Sequence, residues 1–149
     1  MRLWFCLLPA FLLACSADAS DVSLSASISN ASIKVTNSAF AGVEGGFRLD
    51  LSLGSYSNTS TQVTLGKFEL QAESGAVLAD LADATPEPMF PVELNKGESK
   101  QVVFTFDGIG VDDRDAACAG RVRIVGSVMD SLKAGTVPVR SGLITPDCG

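Results

Sequence analysis

Apolar and polar residues alternate with a period of two through most of the chain, a pattern that predicts β-strands. Val22, Leu24, Ala26 and Ile28 alternate with serines, and Ile33 and Val35 repeat the pattern briefly. Phe47, Leu49, Leu51 and Leu53 are separated by Arg48, Asp50 and Ser52, the cleanest strand of the set. Val63 and Leu65 come next, then Phe68 and Leu70. Val92 and Leu94 predict a short strand after the proline-rich residues 85–91. Val102, Phe104 and Phe106 predict another, with Val103 and Thr105 on its opposite face. Val122, Ile124 and Val128 form one more, and Val137, Val139, Leu143 and Ile144 the last.

Turn-forming residues fall between these runs. Gly45-Gly46, Tyr56-Ser57-Asn58, Glu73-Ser74-Gly75, Asn95-Lys96-Gly97 and Asp107-Gly108 read as turns or loops. Pro138 cannot donate to a ladder, which assigns its strand to a sheet edge or a bulge. Only residues 77–84 have a helical look, of one or two turns. An all-β, antiparallel sandwich of about seven to nine strands follows, with a closed barrel as the alternative.

The first residues break the alternation. Twelve of residues 1–14 are apolar, with Arg2 ahead of an apolar run from Leu3 to Leu13. That is the layout of an export signal, too short for the roughly 20 residues that span a bilayer. Leu12-Leu13-Ala14-Cys15 resembles the lipobox of bacterial lipoproteins. The resemblance implies cleavage after Ala14, thioether diacylation of Cys15 and acylation of the new amino terminus. Leu13 stands where that family more often carries Ala or Ser. Ser16 replaces the Asp that, in the enterobacterial pattern, favours inner-membrane retention, so the outer membrane is expected. The competing reading is Ala17-Asp18-Ala19, an A-x-A site that would release a secreted or periplasmic chain. The expected organisation is therefore a signal peptide (1–14), a lipidated cysteine with a short tether (15–21) and one domain (22–149).

Composition narrows the function. The chain has 149 residues, no histidine and a net charge of −6. Without histidine there is no Ser-His-Asp or Cys-His catalysis and no histidine-ligated metal. An acidic chain is not expected to bind nucleic acid, whose partners are basic. Beside anionic head groups such a body is repelled, which leaves attachment to the lipid. Of four cysteines, Cys6 leaves with the signal and Cys15 carries lipid. Cys118 and Cys148 remain, without C-x-x-C spacing, and in an oxidising compartment they are expected to form a disulfide.

Residues 47–107 resemble the immunoglobulin-like domains of bacterial exported proteins. The resemblance lies in an ordering: Val63 to Leu70, a Gly75 turn, Phe90-Pro-Val-Glu-Leu94, the turn Asn95-Lys-Gly-Glu-Ser99 and the strand from Gln101 to Phe106. It implies an immunoglobulin-like sandwich. Trp4 lies in the signal, so the buried tryptophan of antibody domains is missing. Cys118 and Cys148 also come too late in the chain to be the usual inter-sheet bridge.

Candidate chemistry is sparse. Asp107, Asp112, Asp113 and Asp115 crowd one segment, and calcium takes six to eight oxygens. Ala116-Ala117 stand where an EF-hand loop needs glycine and a distal glutamate, and Arg114 competes for the carboxylates, so a solvated loop is the favoured reading. Glu69 and Glu73, on one strand face, are too far apart for paired-carboxylate catalysis. Ser131-x-Lys133 lacks the Ser-x-x-Lys spacing of acyl enzymes and reads as a turn. Met89 and Met129 read as core rather than copper ligands. Asn30-Ala-Ser32 and Asn58-Thr-Ser60 match glycosylation sequons but read as chance matches in a serine-rich strand protein. The glycines of residues 41–46 lack the lysine of a phosphate loop and read as a flexible connection. Residues 85–91 read as a rigid loop packed on the sandwich. The expected function is non-enzymatic and cofactor-free: a binding or structural module at the cell envelope that contacts protein or glycan through its loops. The competing class is a calcium-dependent module or enzyme using residues 107–115.

Overall fold

The computed structural model describes residues 24–36, 42–55, 59–85, 90–111, 113–132 and 135–149. The expectations for residues 1–21, Cys15 among them, and for Val22, Tyr56-Ser57-Asn58, Met89, Asp112 and Lys133 lie outside the described residues. Within the described residues the elements are β1 (Leu24–Thr36), β2 (Gly42–Leu53), β3 (Thr61–Ala72), β4 (Val77–Leu81), β5 (Val92–Leu94), β6 (Ser99–Gly110), α1 (Arg114–Cys118), β7 (Val122–Asp130) and β8 (Gly135–Arg140). They make two antiparallel sheets. One has the order β1-β2-β6, and the other β4-β3-β7-β8 with β5 also paired to β3. The chain crosses from sheet to sheet after β2, β5 and β6. This is the strand order of an immunoglobulin-like sandwich, A-B-E facing C′-C-F-G.

Strand parity explains the local structure of the smaller sheet. Ile28 and Ile33 are both directed inward, yet they are five positions apart, an odd offset that a regular strand would place on opposite faces, so one strand residue must be unpaired. The pairing of β1 with β2 shifts between Ser29 and Ser32, and Asn30 takes φ 49° there. The pairing of β2 with β6 shifts at nearly the same level, between Val43 and Gly45. A Cβ on Gly45 would lie 2.2 Å from the Ser32 carbonyl oxygen, and one on Gly46 2.7 Å from that of Phe104. These glycines therefore sit inside a strand and let three backbones approach. They are not the flexible connection that their composition suggests.

The core is built from the inward residues of both sheets. Phe47 and Phe104, paired across β2 and β6, stack at 4.7 Å between ring centroids. Phe68 of the opposite sheet meets them at 5.2 and 5.3 Å. Leu49, Leu51, Leu70, Leu94 and Ile124 fill the space around the rings with almost no exposure. Gly126 pairs with Phe68, and a Cβ at Gly126 would lie 2.3 Å from the Phe68 ring. The aromatic ring occupies the place of the missing side chain.

Three further readings are corrected. Residues 77–84 are not helical: Ala79 and Leu81 are buried two apart, opposite Leu70 and Phe68, as a strand requires. Asp107-Gly108 lies within β6 rather than in a turn. Met129 is 42% exposed rather than core, because β7 directs Ile124, Val128 and Asp130 inward and Met129 outward. The turns at Glu73-Ser74-Gly75 and Asn95-Lys96-Gly97 are present, and Pro138 lies on the edge strand β8.

The two ends of the sandwich differ. Leu24 pairs with Leu53, and the Leu53 N–H donates to the Glu98 carbonyl at 2.9 Å. Leu94 pairs with Thr61, which hydrogen-bonds to Asp130. The start of β1, the 95–98 turn and the β7–β8 hairpin thus share one end. Thr36, Gly42, Gly110 and the α1 region share the other.

Phe68→Ala is expected to cost about 3–5 kcal/mol, the usual loss for a buried aromatic ring. Gly126→Ala is expected to cost about 1–3 kcal/mol by overpacking against that ring. Urea unfolding of each variant, followed by circular dichroism, measures both.

Candidate functional site

The far end of the sandwich is closed by the segment after β8. Ser141 and Ile144 continue alongside β7, with paired hydrogen bonds of 2.8 and 2.9 Å between Ile144 and Val122. The chain then crosses to the other sheet. The Val35 N–H donates to the Asp147 carbonyl at 2.7 Å, and the Asp147 N–H to the Ile33 carbonyl at 2.9 Å. Cys148 next to it is bonded to Cys118, the last residue of α1, with a sequence separation of 30. The expected disulfide is present. Arg114 of α1 donates to the Gly149 main-chain oxygen at 3.2 Å. One short tail is thereby tied to both sheets and to the link between β6 and β7.

The acidic stretch divides among separate structural roles. Asp107 is an exposed residue of β6. Asp113 caps α1, its carboxylate accepting from the Ala116 N–H at 2.9 Å, and Asp115 lies in the first turn of that helix. Asp112 is outside the described residues. Arg114 turns to Gly149 instead of to its acidic neighbours. Among the described residues, no three of His, Cys, Asp or Glu converge as a metal ion requires. Glu69 and Glu73 have different partners: Glu69 pairs with Lys67 at 2.8 Å and Glu73 with Arg121 at 2.7 Å.

One polar network escaped the sequence reading. Asp130 is 4% exposed at the inward end of β7. It accepts from the Thr61 hydroxyl and from the Leu132 N–H, the latter at 2.9 Å. Ser131 accepts from the Gln62 N–H at 2.9 Å, so this serine holds a turn. The signal was the parity of Asp130 with Ile124 and Val128. A carboxylate at a core position must be hydrogen-bonded.

The outer face of the smaller sheet carries a different arrangement. The two facing bulges and Gly45-Gly46 leave a hollow of about 340 Å³, lined by Asn30, Ser32, Gly46, Arg48, Val103 and Thr105. Arg48 pairs across the ladder with Ser29 and Val103, neither of them acidic. No hydrogen bond or ion pair joins its guanidinium to any described residue. Val103 is 50% exposed, an apolar wall beside that charge. Two other strand cations are neutralised, Lys34 by Glu44 at 2.7 Å and Lys67 by Asp80 at 2.9 Å, whereas Arg123 and Arg140 of the larger sheet, like Arg48, have no carboxylate partner among the described residues. The Glu44 hydrogen bond, helped by Asp147, raises the Lys34 pKa above its ordinary value. Two residues along β2, Asp50 accepts from the Ser29 hydroxyl at 2.5 Å through one oxygen, and its other oxygen is buried without a partner.

The class defined by these features is an antiparallel sandwich of immunoglobulin-like strand order, with a disulfide-locked tail and a cationic hollow on one sheet face. No family model matches the chain, and no curated protein matches its sequence.

Three outcomes follow from this geometry. Replacing both Cys118 and Cys148 by serine is expected to cost about 3–4 kcal/mol for a loop of this length, read from denaturant midpoints. Asp130→Ala leaves the Leu132 N–H unpaired and the Thr61 hydroxyl with only the Ser131 hydroxyl at 3.2 Å, and is expected to cost about 1–3 kcal/mol in the same assay. Hydrogen bonds from the Asn95 backbone to Glu98, and from Lys67 to Glu69, hold both carboxyls below the ordinary glutamate value of 4.5. Their stabilisation is complete above that value and is lost as pH falls through the lowered folded values. Glu98→Gln is therefore expected to be less stable than the parent at neutral pH, with the difference closing in acid, as thermal melts across pH report.

Proposed function

We propose that the chain is a lipid-anchored module of the bacterial cell envelope, attached through Cys15, that acts by binding rather than by catalysis. The observation that carries the reading is the Cys118–Cys148 bridge. It pairs the two cysteines that remain once Cys6 goes with the signal and Cys15 with the lipid. Structural disulfides persist in oxidising compartments, where lipoproteins of this type reside. The Leu12-Leu13-Ala14-Cys15 motif behind its apolar run supports the anchor itself. Among the described residues no helix is long and apolar enough to cross a membrane.

The anchor sets an orientation. β1 begins nine residues after Cys15, a reach of at most about 30 Å. The end bearing the 95–98 turn and the β7–β8 hairpin then faces the membrane, with the tail and α1 away from it. The sheet faces remain open sideways to protein or glycan at the envelope, the outer membrane being the favoured location. Two or three acyl chains suffice for stable attachment without help from the acidic body.

The test is the intact mass of the protein from its native membrane fraction, before and after reduction. A chain starting at Cys15, with a diacylglyceryl group, a further acyl chain and a two-proton deficit removed by reduction, is expected. Cys15→Ala is expected to abolish lipidation. A lipid-free chain starting at Ser20 would overturn the anchor and make the protein a secreted or periplasmic domain.

A further inference from the structure

We propose that the hollow around Arg48 binds a carboxylate-bearing sugar unit, a uronic acid of an acidic glycan. The inference rests on the reading of the chain as a binding module and names the ligand class that this face takes. The first argument is the uncompensated charge. In a chain of net charge −6, Arg48 is a half-buried cation in mid-strand with no acidic partner, whereas Lys34 and Lys67 each have one. A guanidinium presents a planar fork that matches a carboxylate bidentately.

The second argument is the surrounding chemistry. Asn30 supplies amide donors and an acceptor, and Ser32 and Thr105 supply hydroxyls, around a floor made by Gly46. Those groups suit the ring hydroxyls of a sugar. Val103, half exposed at the rim, offers methyl groups to the C–H face of a ring. The volume of about 340 Å³ lies at the small end of ligand pockets, room for one ring and not for a chain.

The third argument selects a monoanion. Phosphate sites gather several cations or a row of backbone N–H groups. This hollow has one guanidinium, and Asp50 lies two residues along the same strand. A single guanidinium balances one carboxylate and leaves the second charge of a dianion unmatched.

The experiment is saturation-transfer NMR on the detergent-solubilised full chain, with D-glucuronate as the probe and glucose, acetate and inorganic phosphate as comparisons. Glucuronate is expected to show transfer at millimolar concentration, with glucose and acetate much weaker. Arg48→Gln is expected to weaken glucuronate by about tenfold or more without changing the melting temperature, since Arg48 holds no structural partner. Val103→Asp, at an exposed rim position, is expected to weaken it likewise. Absence of transfer from glucuronate, undiminished transfer with Arg48→Gln, or displacement of glucuronate by equimolar phosphate would each overturn the inference. Anchoring is read separately by intact mass. A lipidated chain that ignores glucuronate sinks this inference alone, and a lipid-free chain that binds it sinks only the anchor.

Discussion

Phe68 reaching from one sheet onto the stacked pair Phe47 and Phe104 of the other is the contact on which the sandwich depends. It fixes more than the distance between layers. Phe47 and Phe104 are cross-strand partners, so their stacking sets the register of β2 against β6. Phe68 lies over Gly126, so its ring sets the register of β3 against β7. A slip of one residue in either ladder would turn an aromatic ring to solvent. The bulges absorb the mismatches that these registers create. The pairing of β3 with β7 shifts just before Phe68, and that of β2 with β6 shifts just before Phe47.

Much of this was legible in the alternation. Among the described residues, seven of the eight strands are announced by inward residues two apart, because a half-buried strand has few other ways to hide an apolar face. The misreadings share one cause: tertiary contacts overrode local composition. Gly45-Gly46 resembles a turn in isolation, and only the carbonyls of Ser32 and Phe104 show why a strand needs glycine there. Residues 77–84 have short, alanine-rich spacing that a helix tolerates, and the ladder to Leu70 and Phe68 decides for strand. Asp130 looks like a surface carboxylate and Met129 like a core residue. The parity of β7 reverses both.

The hollow on the sheet face was not visible in the sequence for a related reason. Arg48 looks like any polar residue of an alternating strand. Its significance depends on what lies across the ladder, and that is Ser29 and Val103 rather than a carboxylate. The disulfide was visible because Cys118 and Cys148 are the two cysteines that lie outside the apolar first fifteen residues. The tail it secures was not, since Ile144 and Asp147 pair with different sheets and no local pattern records a change of sheet.

That tail has a consequence for the order of assembly. Residues 141–149 follow β8, yet Asp147 among them pairs with β1, the first strand of the described residues. In a chain that emerges amino end first, the edge of β1 at Ile33 and Val35 waits for its neighbour until the strands up to β8 have been made. Such an open edge is a template for a second chain. Pairings of this sequence separation are also slow to form. The bridge to α1 holds residues 147–148 beside β1 covalently, so a contact that forms late is not left to two backbone hydrogen bonds alone.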